Sequence, residues 1–309
     1  MTAATSGNAP QVEKGRGRAA SRARVRALTY IGLTVAACVA VLPLVFMIFS
    51  SLKTDDRIFA DLGTIKAFLP VGHLSLDNYS GVFERVPAAR FLLNSVVVTA
   101  AIVGLGLVVN SMIGFAIARM RWRGRSIILS FVLATLMVPF ETIAVPLVFW
   151  VAKLPSMQWV VDGFLIKQGM LNTYQVQILP FIANALAIFL FAQHFGDIPR
   201  EIDEAARVDG ASWWTIYRRI VVPLSDPTFA TVAIITMLPA WNSYLWPLMV
   251  VQEESMRPVS VGMQYFFQLN PVWGQIMAYG TLITLPVLII FALFQRSFVA
   301  SLAGTAVKG

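Results

Sequence analysis

Few residues in this chain have the types and spacing needed for covalent chemistry. There is no Walker-type glycine loop with a lysine, no Ser/His/Asp set and no His/Cys cluster. Neither His73 nor His194 has a partner at metal-ligand spacing, and the single Cys38 excludes an intrachain disulfide. The sequence therefore predicts no catalytic residue, no metal and no cofactor. Three features remain. Glu141 is the sole carboxylate within an apolar span, where an acid is costly enough to be a functional hypothesis by default. It reads either as a structural carboxylate near the outer end of its span or as a proton-coupling acid. The patch Trp241-Asn242-Ser243-Tyr244-Leu245-Trp246-Pro247 is aromatic and polar within a span. Its rings can stack on sugars and its asparagine can meet hydroxyls, or the patch can serve helix packing and an interfacial belt. The third feature is a polar segment between two apolar runs.

That segment runs from Asp197 to Pro223 and alternates acidic and basic residues. Asp197 is expected to cap a helix starting near Pro199, since proline is tolerated in a first turn. The helix carries Glu201, Glu204, Ala205 and Ala206 and stops at Gly210, which can take a left-handed conformation. Ser212 is expected to cap a second short helix with Trp213, Trp214, Tyr217 and Ile220, ended by Pro223. Paired alanines leave a thin face suited to a groove. The segment reads as a docking hairpin, or as an amphipathic surface helix whose charges are merely solvated.

The elements that must position these residues are apolar. With 57% hydrophobic and 13% charged residues and a mean hydropathy of +0.71, the chain is too apolar for an ordinary soluble domain. The expected class is all-α: a polytopic membrane bundle of six transmembrane helices. The spans fall near residues 28–50, 91–118, 127–152, 176–194, 229–251 and 273–295. Small residues near Gly104, Gly106 and Gly114 suit close helix packing in the second. Prolines interrupt several spans, at Pro139, Pro146, Pro180, Pro239, Pro247 and Pro286 among others, and read as static kinks or as bending points. Residues 1–25 read as a disordered basic cytoplasmic tail, and residues 26–309 as the transmembrane domain with its loop at 197–223.

Six spans put both termini on one side. Placing the tails, the basic turn at 119–125 and the docking loop in the cytoplasm puts sixteen of the 24 lysines and arginines there. The net charge of +8 flanks spans and so argues against nucleic acid.

The docking segment resembles the EAA loop of ABC importer permeases, the cytoplasmic segment that contacts the ATPase. Glu204, Ala205, Ala206, Asp209, Gly210, Ile220 and Pro223 match its pattern, with Val222 in place of the usual leucine. Over most of the chain the sequence is similar to the MalG-type permease of carbohydrate ABC importers. The supporting strings are Ser51-Leu52-Lys53-Thr54, Asn78-Tyr79, Asn94-Ser95, Met137-Val138-Pro139 with Glu141, Leu171-Asn172-Thr173-Tyr174, Trp241-Asn242 and Ala306-Val307-Lys308-Gly309. Ser301 and Thr305 depart from the family's glycines, and the 153–169 link and the amino-terminal tail are longer than the resemblance requires.

The resemblance implies a sugar or oligosaccharide importer made with a MalF-like sister permease, an ABC ATPase dimer and an extracytoplasmic solute-binding protein, in a bacterial inner membrane. It implies ATPase-coupling roles for Glu204, Ala205, Ala206, Asp209, Gly210, Lys308 and Gly309. The substrate path is assigned to Trp241, Asn242, Tyr244 and Glu141. The rivals are a permease of the same superfamily for glycerol phosphate, an ion-coupled secondary transporter using Glu141, and a membrane scaffold or receptor without transport.

Overall fold

The computed structural model describes residues 11–160, 163–268 and 270–306, with side chains at 25–157, 166–268 and 270–292. Lys308 and Gly309 lie outside the described residues. The chain divides into two units, Met1–Tyr79 with Trp273–Ala278, and Ser80–Val272 with Tyr279–Gly309.

The chain is mostly helical. Helix α1 spans Gln11–Ser50, followed by α2 (Asp55–Asp61), α3 (Asp77–Arg85) and the long α4 (Ala88–Arg119). Helix α1 thus extends back across most of the stretch read as a disordered tail. Alanine and arginine are good helix formers, and propagating an existing helix costs far less than nucleating one. In the first unit the buried Lys53 pairs with Asp61 at 2.9 Å and donates to the Lys66 carbonyl at 2.7 Å. Asn78 donates from Nδ2 to the carbonyls of Ser51 and Lys53, and the Ser51 and Tyr79 hydroxyls are 2.8 Å apart. The strings Ser51-Leu52-Lys53-Thr54 and Asn78-Tyr79 therefore hold one another.

The second unit is built along α4, which packs against α8 (Ala185–Asp197) and α11 (Asp226–Trp241). The α4–α8 approach depends on Gly114, where an added Cβ would lie 2.6 Å from Phe191 Cβ and 3.0 Å from the Ala192 nitrogen. Gly104 makes no such approach, with nothing within 4 Å.

Among the described residues, three helical stretches are long and apolar enough to cross a membrane: Val25–Ser50, Ala88–Arg119 and Trp273–Ala292 in α14 (Trp273–Ala306). Three bent pairs raise the number of candidate spans to as many as six. The expected third span is α5 (Arg125–Thr135) and α6 (Phe140–Val151), bent by 100°. Pro139 stands extended between them, because it lacks an N–H and pushes the preceding residue away from helix. The expected fourth is α7 (Tyr174–Ile178) with a short 3-10 turn, then α8, bent by 43°. Here the buried Asn110 satisfies the backbone freed by the break. Its Nδ2 donates to Ile182 O at 3.0 Å and its Oδ1 accepts from Asn184 N at 2.9 Å. Asn184 then caps α8 by accepting from Ala187 N.

The fifth span differs most from expectation. Its apolar helix continues from the docking loop, pairing Trp213–Val221 with Pro223–Trp241 at 43°. It ends at Trp241 rather than Val251, and α12 (Leu245–Val250) comes after a break, ahead of the short α13 (Val259–Gly262). Between α6 and α7 the structure adds to the all-α expectation a two-stranded antiparallel hairpin, β1 (Pro155–Val160) with β2 (Gly163–Gln168). Its sequence supplies the β-branched and aromatic residues that pleated strands favour. Gln175 pins it from α7, accepting from Met157 N and donating to Met157 O.

Candidate functional site: the docking hairpin and a polar cavity

The docking segment forms two short helices, α9 (Arg200–Val208) and α10 (Trp213–Ile216). Asp197 does not cap α9. It is the last residue of α8, and Pro199 stands at the N-cap of α9 with no side-chain bond. A proline there fixes an extended entry and asks for no N–H partner. At the other end Gly210 adopts φ +83°, as the sequence predicts. Ala211 N donates to Ala206 O at 2.9 Å, and Gly210 N to Arg207 O at 3.1 Å. This pair of bonds is the Schellman arrangement, which satisfies the last carbonyls of the helix. Ser212 caps α10, its Oγ accepting from Thr215 N at 3.2 Å.

The two legs are anchored differently. Arg119, the last residue of α4, is buried and reaches α8 and α9 together. Its Nη1 donates to Phe195 O at 3.1 Å and Ile198 O at 2.6 Å, and its Nη2 to Pro199 O at 3.2 Å. Its Nε lies 2.8 Å from Oδ2 of the buried Asp203, an ionic contact rather than an aligned hydrogen bond. Two carbonyls at the C-terminal end of α8, the Pro199 carbonyl at the start of α9 and one carboxylate thus compensate one guanidinium, a fork that lysine could not reproduce. The second leg is held by packing. Ile216, Tyr217 and Val221 are buried with Phe115, Phe191 and Phe195, and the Tyr217 hydroxyl meets Ser111 Oγ at 2.7 Å.

What remains outward is the face the sequence singles out. Glu204, Ala205, Asp209 and Gly210 are exposed, while Ala206 is half-buried and packs towards the aromatic core. The alanine pair therefore splits, one facing solvent and one the protein. Val208 is 88% exposed and Trp214 56%, large apolar groups beside the charges. Neither Arg119 nor Asp203 stands out in the sequence as a site residue. The available signal is an acid on the docking helix and an arginine at a span's end.

A cavity of about 460 Å³ opens in the second unit, and its lining includes Glu141, Tyr244, Thr99, Gln177, Asn184 and Ser243. No lysine or arginine lines it. Thr99 Oγ1 and Gln177 Oε1 are buried without a hydrogen-bond partner in the chain. The structure brings Glu141 and Tyr244 to this cavity but not Trp241 and Asn242. The Trp241 indole is buried and donates to Ile283 O at 3.2 Å, tying α11 to α14. Asn242 Nδ2 donates to Leu238 O at 2.9 Å within its own helix end. Tryptophan donors are usually paired when buried, so this ring serves helix packing. Glu141 is exposed and lies in the first turn of α6, where the helix dipole favours a negative charge.

The sequence model described as binding-protein-dependent transport system inner membrane component matches residues 110–304. The arabinooligosaccharides transport system permease protein AraQ of Halalkalibacterium halodurans is 34% identical over 286 residues, covering 91% of this chain and 96% of that protein. The sn-glycerol-3-phosphate transport system permease protein UgpE of Brucella abortus is 34% identical over 249 residues, covering 77% and 83%. The fold is similar to a chain of a bacterial ABC transporter involved in the import of the acidic polysaccharide alginate. That likeness has a TM-score of 0.75 and 19% sequence identity, over 89% of this chain and 97% of the other.

Proposed function

The chain belongs to the family of binding-protein-dependent transport system inner membrane components, and on that premise we propose that it is the permease subunit of an ABC importer for a sugar or oligosaccharide. It is a transport subunit; ATP hydrolysis resides on a partner ATPase dimer, and an extracytoplasmic binding protein delivers the solute. A MalF-like sister permease completes the path. Six spans with both termini cytoplasmic, in a bacterial inner membrane, set the docking hairpin on the side where ATP is.

The observation that carries this reading is the two-sided build of the hairpin. Its inner side is fixed by Arg119 and the aromatic core, and its outer side leaves Glu204, Asp209, Val208 and Trp214 for a partner. An element held this way moves as one body with the ends of α4 and α8. Coupling needs a single element whose arrangements are biased by two sites. ATP-driven closure of the ATPase dimer would move the hairpin, and the hairpin would move the helices around the polar cavity in an alternating-access cycle. The coupling face is assigned to Glu204, Ala205, Ala206, Asp209 and Gly210, with Lys308 and Gly309 as further ATPase contacts. Within the path, Glu141 and Tyr244 are the assigned residues that line the cavity.

A glycerol-phosphate permease is the second reading, favoured by the similarity to UgpE. Against it, the cavity lining carries the Glu141 carboxylate and no cation to meet a phosphate. Uptake into proteoliposomes reconstituted with the ATPase, sister permease and binding protein tests the proposal. ATP-dependent uptake of a neutral oligosaccharide is expected. Uptake that survives removal of the ATPase and collapses with the ion gradient would replace it with an ion-coupled carrier.

A further inference from the structure

The turn between α4 and α5 holds a second cluster that the coupling function does not use. Arg121, Arg123 and Arg125 from the turn converge with Arg200, the first residue of α9, around an open cleft of about 390 Å³. Trp122 completes the wall, its indole N–H turned back onto Ala116 O at 3.0 Å. Gly124, at φ +91°, gives the tight reversal that gathers the turn. No carboxylate lines this cleft. The adjoining cleft, which shares Arg121 and Arg200, is lined by two carboxylates, Asp203, which Arg119 engages, and the exposed Glu204 of the coupling face. Within this cleft four guanidinium groups face no carboxylate, so an anion seated among them would relieve their mutual repulsion.

We propose that Arg121, Arg123, Arg125 and Arg200 hold the phosphate of an anionic membrane phospholipid. Guanidinium forks suit phosphate oxygens, and basic residues beside a span attract anionic headgroups. The choice of a lipid over a free phosphate rests on the apolar face next to the turn. Helix α5 begins at Arg125 and carries the exposed apolar residues Ile127, Ile128 and Phe131 within its first two turns. A headgroup on the arginines would lay its acyl chains along that face. A lipid held there would bridge the basic turn and the first residue of the docking helix, so the inference rests on the cytoplasmic placement proposed above.

The test uses the full-length chain purified with the subunits that accompany it. Phosphatidylglycerol, phosphatidylcholine and inorganic phosphate are titrated separately, and bound lipid and the thermal midpoint are measured. Binding and a raised midpoint are expected with phosphatidylglycerol alone. Each arginine-to-glutamine change should weaken that binding about fivefold, and Arg121→Gln/Arg123→Gln/Arg200→Gln together about 100-fold. Arg26→Gln, an exposed arginine at the start of the first span, should leave binding intact. If the triple variant does not fold, Arg123→Gln alone must still show its fivefold loss. Binding in the folded variants equal to wild type, or an equal loss in Arg26→Gln, overturns the site. A phosphate effect matching that of the lipid makes it a free-anion site instead. Retained lipid with lost ATPase in the triple variant makes it a protein contact. None of these outcomes touches the transport assignment, which its own uptake assay decides.

Discussion

The Nε atom of Arg119, at the end of α4, lies 2.8 Å from Oδ2 of Asp203 in the docking helix α9. Both side chains are buried, so each charge depends on the other. Removing one partner from a buried pair typically costs about 3–5 kcal/mol, because the survivor is left uncompensated. Arg119→Ala and Asp203→Asn are each expected to lower the thermal midpoint and the solute moved per ATP hydrolysed. Arg119→Ala/Asp203→Asn together should cost less than the sum of the two single losses, a non-additivity that a double-mutant cycle measures. Simple additivity would mean that the pair does not act as a unit.

Gly114 separates packing from composition. Gly114→Ala places a Cβ 2.6 Å from Phe191 Cβ and should destabilise by about 1–3 kcal/mol, read by thermal unfolding. Gly104→Ala, on the same helix with nothing within 4 Å of the added carbon, should be neutral or stabilising by about 0.5–1 kcal/mol. Equal effects at the two positions would deny that α4 and α8 meet at Gly114.

Much of this arrangement is legible in the sequence, and the illegible part has physical reasons. Gly210, Ser212 and the prolines act locally, so their turns and breaks follow from residue type. The Arg119–Asp203 pair joins distant elements. Arg119 belongs to a run in which Arg121, Arg123 and Arg125 carry the same charge, and tertiary packing alone buries the first of them. Trp241 and Asn242 are ambiguous in the opposite way. An indole and an amide suit a sugar or helix packing equally well, and in this chain the indole bonds to Ile283 O across helices and the amide to Leu238 O within its own helix. Asp197 is a good capping residue, yet α8 simply continues through it.

Glu141 stands both in the first turn of α6 and at the cavity wall. An exposed carboxylate in a first helical turn contributes about 0.3–1 kcal/mol through the helix dipole. Glu141→Gln should lower the thermal midpoint slightly and leave uptake dependent on ATP and insensitive to the proton gradient. Wild-type uptake that needs the proton gradient rather than ATP, and loses that need in Glu141→Gln, would restore a proton-coupling role.

Gly210 has φ +83° with nothing within 4 Å of an added Cβ, so substitution there meets conformational strain but no clash. Gly210→Ala should cost about 1–2 kcal/mol, and Gly210→Asn less, since asparagine tolerates the left-handed region. Both should still assemble, whereas Gly210→Arg adds a bulky cation to the docking face.

The most direct measurement is therefore co-purification of an ATPase subunit with the native-membrane complex, comparing wild type, Gly210→Asn and Gly210→Arg. The account predicts a bound ATPase with the first two and its loss with Gly210→Arg, while the membrane portion keeps its thermal midpoint to within the cost of the strained turn. A wild-type chain that purifies alone and still moves solute in liposomes would contradict it.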